Sequence, residues 1–186
     1  MKLLFDIETD DLKATKIWCI VAKDMDSKQL YTYGPEQIEE GVQLLEKATH
    51  LIGHNIIGFD IPVVEELCNR PNLSEGKEII DTLVLSRLFN PSREGGHGLG
   101  IWGTKLGLDK IGFEEFSRYS KEMLEYCIRD VELNEKIYYA LREESKGFSK
   151  DSLELEHSVA KILKDQEKHG FLFDVREAEI VMGKLR

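Results

Sequence analysis

The sequence contains little cysteine and proline and no long apolar run. Cys19, Cys68 and Cys127 are odd in number and include no C-x-x-C pair, which argues against a disulfide framework and against a zinc site. The first apolar run covers only three residues before Asp6, and no later stretch reaches the length of a bilayer span. We therefore predict neither a signal peptide nor a membrane anchor, and a reducing cytoplasm as the compartment.

Basic residues are also scarce relative to acidic ones. The chain has 25 Lys and Arg against 35 Asp and Glu, a formal net charge of −10, so a broad electrostatic grip on duplex DNA is not expected. An acidic protein can act on nucleic acid if bound cations reverse the local field and the substrate is a short strand end. Its 186 residues and 41% apolar composition suffice for one packed domain with a small appendage.

The order of hydrophobic patterns predicts an α/β protein. Three strand-like runs, at residues 2–9, 17–26 and 29–34, predict an antiparallel meander, and helices and strands alternate after them. Further strands are predicted at 50–55 and 77–81. Predicted helices lie at 35–48, 61–69, from about Asp81, around Trp102, and at 121–144. This order indicates a mixed central sheet with helices on both faces.

The segment EESKGFSKD, near Glu144 to Asp151, is the one predicted linker. A helix at 153–169 follows and ends at Gly170, a typical C-terminal cap. Asp174 and Glu177 form a capping-box-like start for a last helix, which runs to Arg186 without a cap. We expect one domain at 1–150, a helical connector at 151–186, and a chain that is part of a longer protein.

Two carboxylates share one face of the first strand. Side chains alternate along residues 3–9, so Asp6 and Glu8 fall on the same face, with α-carbons roughly 6.5 Å apart. Both could converge on one cation, and without a cation they would repel each other. The alternative is a solvated strand face.

A third carboxylate falls within the apolar stripe of the long helix. The stripe has three- and four-residue steps and consists of Met123, Tyr126, Asp130, Leu133 and Ile137. A carboxylate facing a core needs a positive partner, a metal ion or a proton. Tyr126 precedes Asp130 by one turn, so both could face one site. The alternative is an ordinary amphipathic tyrosine beside a solvated aspartate.

Asp60 directly precedes an Ile-Pro helix start, which is most simply interpreted as a helix N-cap. Asn55 and Phe59 fit equally well as a strand-end amide and a core aromatic. Asp81, before Thr82, is also consistent with a cap. None of these residues indicates a function by itself.

In order along the chain, FDIET at Phe5 to Thr9, NIIGFD at Asn55 to Asp60 and YCIRD at Tyr126 to Asp130 resemble the three motifs of the DEDDy 3′→5′ exonucleases, within the ribonuclease H-like superfamily. IDTLVLSRL at 80–88 and GGHGLGIWGTKLG at 95–107 look like family A DNA polymerases of short-tailed phages. The stretch at 156–174 is similar to the part of such polymerases that leads toward the polymerase domain. The stretch between Asn90 and Tyr126 is shorter than in the best-known member.

This resemblance implies a ribonuclease H-like (DnaQ-like) fold and removal of nucleotides from a DNA 3′ end by two-metal-ion hydrolysis with Mg²⁺ or Mn²⁺. Asp6, Glu8, Asp60 and Asp130 would be the metal ligands, one ion being held by Asp6, Glu8 and Asp130 and the other by Asp6 with Asp60. Tyr126 would orient the attacking water. These five residues are the catalytic candidates.

The substrate would be a single-stranded 3′ end, held by stacking and a few basic contacts. The candidate substrate-binding residues are His54, Asn55, Phe59, Arg93 and His97. The implied partner is a covalently linked polymerase domain, and the implied location is the host cytoplasm. Two alternatives remain: an RNA-processing 3′→5′ exonuclease, which would use the same carboxylates, and a catalytically inactive scaffold module of a polymerase.

Overall fold

The computed structural model describes residues 1–185 and is built on a mixed five-stranded sheet in the order β3-β2-β1-β4-β5. The strands are β1 (Lys2–Thr9), β2 (Ile17–Asp24), β3 (Leu30–Tyr33), β4 (His50–Gly53) and β5 (Glu78–Asp81). The first three form the predicted antiparallel meander. β4 runs parallel to β1, and β5 runs parallel to β4. This arrangement places β1 at the centre of the sheet.

Seven α-helices accompany the sheet within residues 1–185. They are α1 (Ile38–Glu46), α2 (Asp60–Leu67), α3 (Thr82–Phe89), α4 (Leu99–Leu106), α5 (Lys121–Glu144), α6 (Lys150–His169) and α7 (Val175–Leu185). A 3₁₀ turn at Pro35–Gln37 precedes α1. The bounds predicted for α5 are confirmed, and Ser120 caps its first turn.

Two helices begin earlier than predicted. α6 begins at Lys150 rather than at Leu153, because the Ser149 hydroxyl accepts a hydrogen bond from the Ser152 N–H at 3.1 Å and so caps the helix three residues upstream. The predicted linker therefore shortens to residues 145–149. α2 begins at Asp60.

The alternation of β1 divides the core between the two sheet faces. Leu3, Phe5 and Ile7 face a cluster that includes Val42 of α1 and Val64 of α2. Leu4, on the opposite face, packs in a second cluster with residues of β2, β4 and α5, among them Val21, Ile52, Cys127 and Val131. Helices therefore cover both faces, as predicted, and α5 lies over the face that carries the even-numbered residues of β1.

α5 is held in place by a third cluster at its C-terminal half. This cluster joins α3, α4 and α5 and consists of Leu85, Trp102, Leu133, Ile137 and Leu141. The indole of Trp102 also donates to the Ser86 hydroxyl at 3.1 Å. α5 is thus fixed against the sheet at one half and against α3 and α4 at the other.

The C-terminal helices differ in how they pack. α6 contacts α3 and β5, and the Nε2 atom of His157 accepts the Asp81 N–H at 2.9 Å. α7 contributes no buried residue. Asp174 caps α7 as predicted, by accepting the Glu177 N–H at 3.0 Å. Arg186, at which the sequence prediction placed the end of this helix, lies outside the described residues. Within residues 1–185, none of the helices combines the length and apolar character needed to cross a bilayer.

Candidate active site

Asp6 and Glu8 continue the Leu4 face of β1 toward α5. Glu8 is 7% exposed, and Asp6 is half-buried. Cys127 of α5 packs against them, and its thiol donates to the Asp6 Oδ2 atom at 3.5 Å. One ligand atom each from Asp6, Glu8 and Cys127 lie within 4.8 Å of one another. The two carboxylates therefore converge, as the strand alternation predicts, and they do so under a helix instead of in solvent.

Asp60 joins this pair from α2. It is 3% exposed, and its Oδ1 atom accepts the backbone N–H of Ile7, between the two β1 carboxylates, at 3.1 Å. The N-cap interpretation of Asp60 is wrong, because α2 begins one residue earlier and Phe59 occupies the N-cap position without a side-chain cap bond. As the first residue of the helix, Asp60 directs its carboxylate across to β1.

The turn that leads into α2 depends on Asn55, Gly58 and Asp81. Asn55 adopts a left-handed backbone with φ of 65°. Gly58 fits there because a Cβ atom at this position would lie 2.5 Å from the Asn55 side-chain oxygen. Asp81 caps α3 as predicted, and its carboxylate also accepts the N–H groups of Asn55 at 2.9 Å and Ile57 at 3.1 Å. Asp81 therefore fixes the segment that delivers Asp60.

The fourth carboxylate and the phenol come from α5. Asp130 is 3% exposed within the helix stripe, as predicted, and Tyr126 lies one turn before it with a half-buried ring. The Oδ2 atom of Asp130 pairs with the Lys110 ammonium at 2.7 Å. Its Oδ1 atom is buried and has no hydrogen-bond partner within residues 1–185. Asp130 thus keeps one oxygen free inside the site.

Lys110 is a residue of the site that was not predicted from the sequence. It belongs to an irregular segment, Leu108–Ser120, between α4 and α5. Its ammonium group donates to the Tyr126 hydroxyl at 2.8 Å and lies 4.8 Å from the centroid of that ring. No sequence signal identifies it, because a single lysine in a polar stretch without periodicity is ordinary, and its position depends on the tertiary course of the segment.

Burial and mutual repulsion shift the acid–base equilibria of the carboxylates. Burial, followed by the charges of Asp60, Glu8 and Asp130, raises the pKa of Asp6 well above its ordinary value, and only Lys110 opposes the shift. Burial, with the charges of Cys19 and Asp130, raises the pKa of Glu8 to about 9. The mutual repulsion shows that these side chains lie within electrostatic reach of one another, in a site that favours added positive charge.

Asp60 and Asp130 shift in the same direction. Burial raises the pKa of Asp60 to about 7, although the N–H groups of Ile7 and Asp60 itself favour the charged form. Burial also raises the pKa of Asp130, against the opposing charge and hydrogen bond of Lys110. The pKa of Lys110 is raised, because its interactions with Asp130 and Tyr126 outweigh the effect of its burial. Within residues 1–185, Lys110 is the only basic side chain that forms an ion pair with Asp130.

An apolar cavity adjoins the carboxylates. It has a volume of about 400 Å³ and is lined by Glu8, the following residues 9–12, Phe59 and Phe116. Phe113, Phe116 and Tyr126 form an aromatic cluster with ring centroids 5.0 to 6.2 Å apart. Phe59, a predicted substrate-binding residue, is therefore next to the carboxylates, and sequence reasoning did not identify Phe116.

His54 and Asn55 follow β4 and contact the start of α3, His54 through Thr82 and Asn55 through Asp81. The Nδ1 atom of His54 is 2.9 Å from the Thr82 hydroxyl, and this hydroxyl donates to the Asn134 Oδ1 atom at 2.8 Å. Burial, with the charges of Lys110 and Arg87, lowers the pKa of His54 to about 4. Near neutral pH this imidazole is uncharged, so any role in substrate binding rests on its shape and hydrogen bonding.

Arg93 and His97 are held by partners within the fold. The Arg93 guanidinium pairs with Glu144 at 2.5 Å and stacks on Trp102, with its central carbon 4.2 Å from the ring centroid. The Nδ1 atom of His97 is 2.9 Å from the Ser86 hydroxyl. The structure does not bring these two side chains into contact with the four carboxylates of the candidate site. Their contacts with a substrate stay predictions.

The sequence of this chain is similar to a protein superfamily and to two phage enzymes. A family model described as the RNase H superfamily matches residues 3–111. The DNA-directed DNA polymerases of Enterobacteria phage T3 and Escherichia phage T7 are 26% and 25% identical to the chain. Each alignment is 239 positions long and covers 95% of this chain. The chain spans about a third (34%) of the length of these relatives.

Solved structures resemble the chain over most of its length. A nuclease in its apo form superposes with a TM-score of 0.64 at 17% identity, covering 94% of this chain and 88% of that chain. The Brucella melitensis protein NrnC with bound Mg²⁺ superposes with a TM-score of 0.63 at 17% identity, covering 94% and 89%. At this identity the likeness concerns the fold, and it agrees with the ribonuclease H-like sheet predicted from the sequence.

Proposed function

Because the chain belongs to the RNase H superfamily, we propose that it is a metal-dependent 3′→5′ exonuclease that removes nucleotides from the 3′ end of DNA. The observation that supports this most strongly is the convergence of four carboxylates, Asp6, Glu8, Asp60 and Asp130, from β1, α2 and α5. Burial raises the pKa of all four acids, and a structural core gains nothing from such acids, since each costs stability unless a cation compensates it.

The donor set fits divalent metal ions. All four carboxylates are hard oxygen ligands, which suit Mg²⁺ and Mn²⁺. The Oδ1 atom of Asp130, which has no hydrogen-bond partner within residues 1–185, is available to bind a metal ion. We assign Asp6, Glu8 and Asp130 to one ion and Asp6 with Asp60 to the other. When bound, such ions lower the pKa of a water and neutralise charge on the phosphate.

The remaining site residues position the reactants. Tyr126 would orient the attacking water through its hydroxyl group, which faces the same side of α5 as Asp130. The phenyl rings of Phe59 and Phe116 would hold the terminal nucleotide in the cavity beside Glu8. Stacking of this kind tolerates every base and suits removal of nucleotides without regard to sequence.

The choice of DNA rests on the phage relatives. Both are DNA-directed DNA polymerases, and the chain aligns with about a third (34%) of each over 95% of its own length. We propose that the exonuclease proofreads for a covalently linked polymerase domain in the host cytoplasm. Residues 1–150 would be the exonuclease domain, and 151–186 the helical connector.

The test is digestion of a 5′-labelled single-stranded DNA beside an RNA of the same sequence, in Mg²⁺, in Mn²⁺ and in EDTA. We expect a metal-dependent ladder that shortens from the 3′ end and forms faster on DNA. Faster cleavage of the RNA would favour the RNA-processing alternative, because the same carboxylates serve both substrates. Metal binding without cleavage of either strand would favour the inactive scaffold module.

A further inference from the structure

Lys110 contacts two of the proposed catalytic residues at once. We propose that its ammonium group is a tethered cation of the active site, which positions Tyr126 and competes with the divalent ion for Asp130. This inference rests on the proposed function, because it assigns Lys110 a role in the same metal site. It makes Lys110 a positioning residue and a determinant of the site's affinity for a divalent ion.

The ammonium group of Lys110 compensates the negative charge of the buried Asp130 carboxylate. The Lys110 Nζ atom lies 2.7 Å from Oδ2 of the buried Asp130 carboxylate, while Oδ1 has no hydrogen-bond partner among residues 1–185. Hydrogen bonds between charged groups at this distance are strong, and a divalent ion that binds Oδ2 is repelled by the ammonium already bound to that oxygen. Oδ1 alone leaves Asp130 as a single-oxygen ligand.

The backbone that carries Lys110 is fixed on both sides. The Thr104 hydroxyl donates to the Asp109 carboxylate at 3.2 Å, and the Asp109 carbonyl accepts from Arg129 of α5 at 3.5 Å. Further along, the Trp18 indole donates to the Phe116 carbonyl at 2.9 Å. The flexible part is therefore the lysine side chain, which is 29% exposed and can leave Asp130 while its backbone stays in place.

The second contact links Lys110 to catalysis. The ammonium donates to the oxygen of the Tyr126 hydroxyl at 2.8 Å, so the phenol retains its own proton to donate elsewhere. A lysine that loses Asp130 to a metal ion keeps this contact. Tyr126 then remains oriented on the helix face that it shares with Asp130.

Acidic side chains from β1 and α5 and one histidine surround Lys110. Asp6 and Glu8 of β1 and Asp130 of α5 all feel the ammonium charge, and His54, which follows β4, is kept neutral partly by it. Removing this charge leaves the carboxylates uncompensated. The affinity of the site for a divalent ion, measured without DNA, should then rise.

The experiment measures Mn²⁺ binding to the 186-residue chain without DNA, by calorimetry and by electron paramagnetic resonance. Lys110→Met should bind Mn²⁺ about tenfold more tightly than the wild type, because one competing charge is gone. Lys136→Met removes the same charge from an exposed position on α5 and should leave Mn²⁺ binding unchanged. In an Asp130→Asn background, Lys110→Met should raise the affinity much less, because only the interaction of the ammonium charge with Asp6 and Glu8 is then removed.

The outcomes separate this inference from the proposed function. Equal Mn²⁺ affinity in Lys110→Met and the wild type would overturn the competition with Asp130 and leave the metal-dependent exonuclease intact. Absence of Mn²⁺ binding by the wild type would overturn both.

A second measurement tests the positioning of Tyr126. Lys110→Met should lower kcat several-fold with little change in KM for single-stranded DNA, and Lys110→Arg, which keeps the charge and the donors, should restore most of the loss. Turnover in Lys110→Met equal to that of the wild type, with circular dichroism showing an intact fold, would exclude the positioning role.

Discussion

Glu8 couples the candidate site to pH through its buried carboxyl group. In the absence of metal, burial and the charges of Cys19 and Asp130 raise its pKa from 4.5 to about 9. The folded chain thus keeps a proton that the unfolded chain releases above pH 4.5, so the free energy of unfolding falls as pH rises between 4.5 and about 9. Asp60 acts in the same direction between pH 3.8 and about 7.

Thermal unfolding in EDTA across this pH range tests the coupling. Glu8→Gln removes the titrating group, so its stability relative to the wild type should increase steadily from pH 5 to pH 9. Adding Mg²⁺ should stabilise the wild type most at high pH, because it binds the charged carboxylates of the folded state. Glu125→Gln, an exposed change on α5, is the control. A constant difference between Glu8→Gln and the wild type would contradict the account.

The Tyr126 hydroxyl is expected to contribute orientation to catalysis without holding a metal ion. Tyr126→Phe keeps the ring against Phe113 and Phe116 and removes the oxygen that accepts from Lys110. Single-turnover cleavage of labelled DNA should slow by about tenfold to a hundredfold, the size of effect that misplaced reactants produce. Tyr139→Phe, an exposed position on the same helix, should cleave at the wild-type rate. Equal rates in both variants would remove Tyr126 from the mechanism.

At the scale of the elements, Asp81 connects the end of β5, the start of α3 and the turn before α2. Its carboxylate accepts N–H groups from Asn55, Ile57, Leu83 and Val84. Asp81→Ala should lower the free energy of unfolding by about 2–4 kcal/mol, from the loss of a helix cap and of buried charge-assisted bonds. Urea denaturation measures this, with Glu125→Ala as an exposed control. A loss no larger than that of the control would show that the turn is held by other contacts.

Elements with a clear period were predictable from the sequence, and so were the site residues on them. Asp6 and Glu8 lie on one strand face, and Tyr126 and Asp130 lie on one helix stripe, because side-chain direction in these elements follows from spacing alone. The position of the Asp60 carboxylate was not predictable from local rules, since an aspartate before Ile-Pro fits an N-cap, and its actual partner, Ile7, is 53 residues away. Lys110 and Phe116 lie on a segment without a period, whose course only the packing between α4 and α5 determines.

At the scale of the whole molecule, α6 connects the sheet to the C-terminal end of the chain. It packs on α3 and β5, Leu153 joins the cluster around Trp102, and His157 binds the N–H of Asp81. A chain that ends at Ser149 should therefore lose about 3 kcal/mol of unfolding free energy through lost apolar burial and one hydrogen bond.

The matched control is a chain that ends at Gly170. α7 has no buried residue, so this truncation should unfold at the same temperature and urea concentration as the 186-residue chain. Differential scanning calorimetry of the three chains compares them directly. If the chain ending at Ser149 is as stable as the 186-residue chain, α6 belongs to the connector alone, as the predicted boundary at residue 150 implies.

The measurement that tests the central claim most directly is cleavage of 5′-labelled single-stranded DNA by the Asp6→Ala, Glu8→Ala double variant in Mg²⁺. The two acids occupy the centre of the site, so we predict loss of detectable cleavage while circular dichroism shows an intact fold. Glu122→Ala with Glu125→Ala removes two exposed acids from α5 and should cleave like the wild type. Wild-type cleavage by the Asp6→Ala, Glu8→Ala variant would contradict the proposed function, because it would show that cleavage does not depend on these two carboxylates.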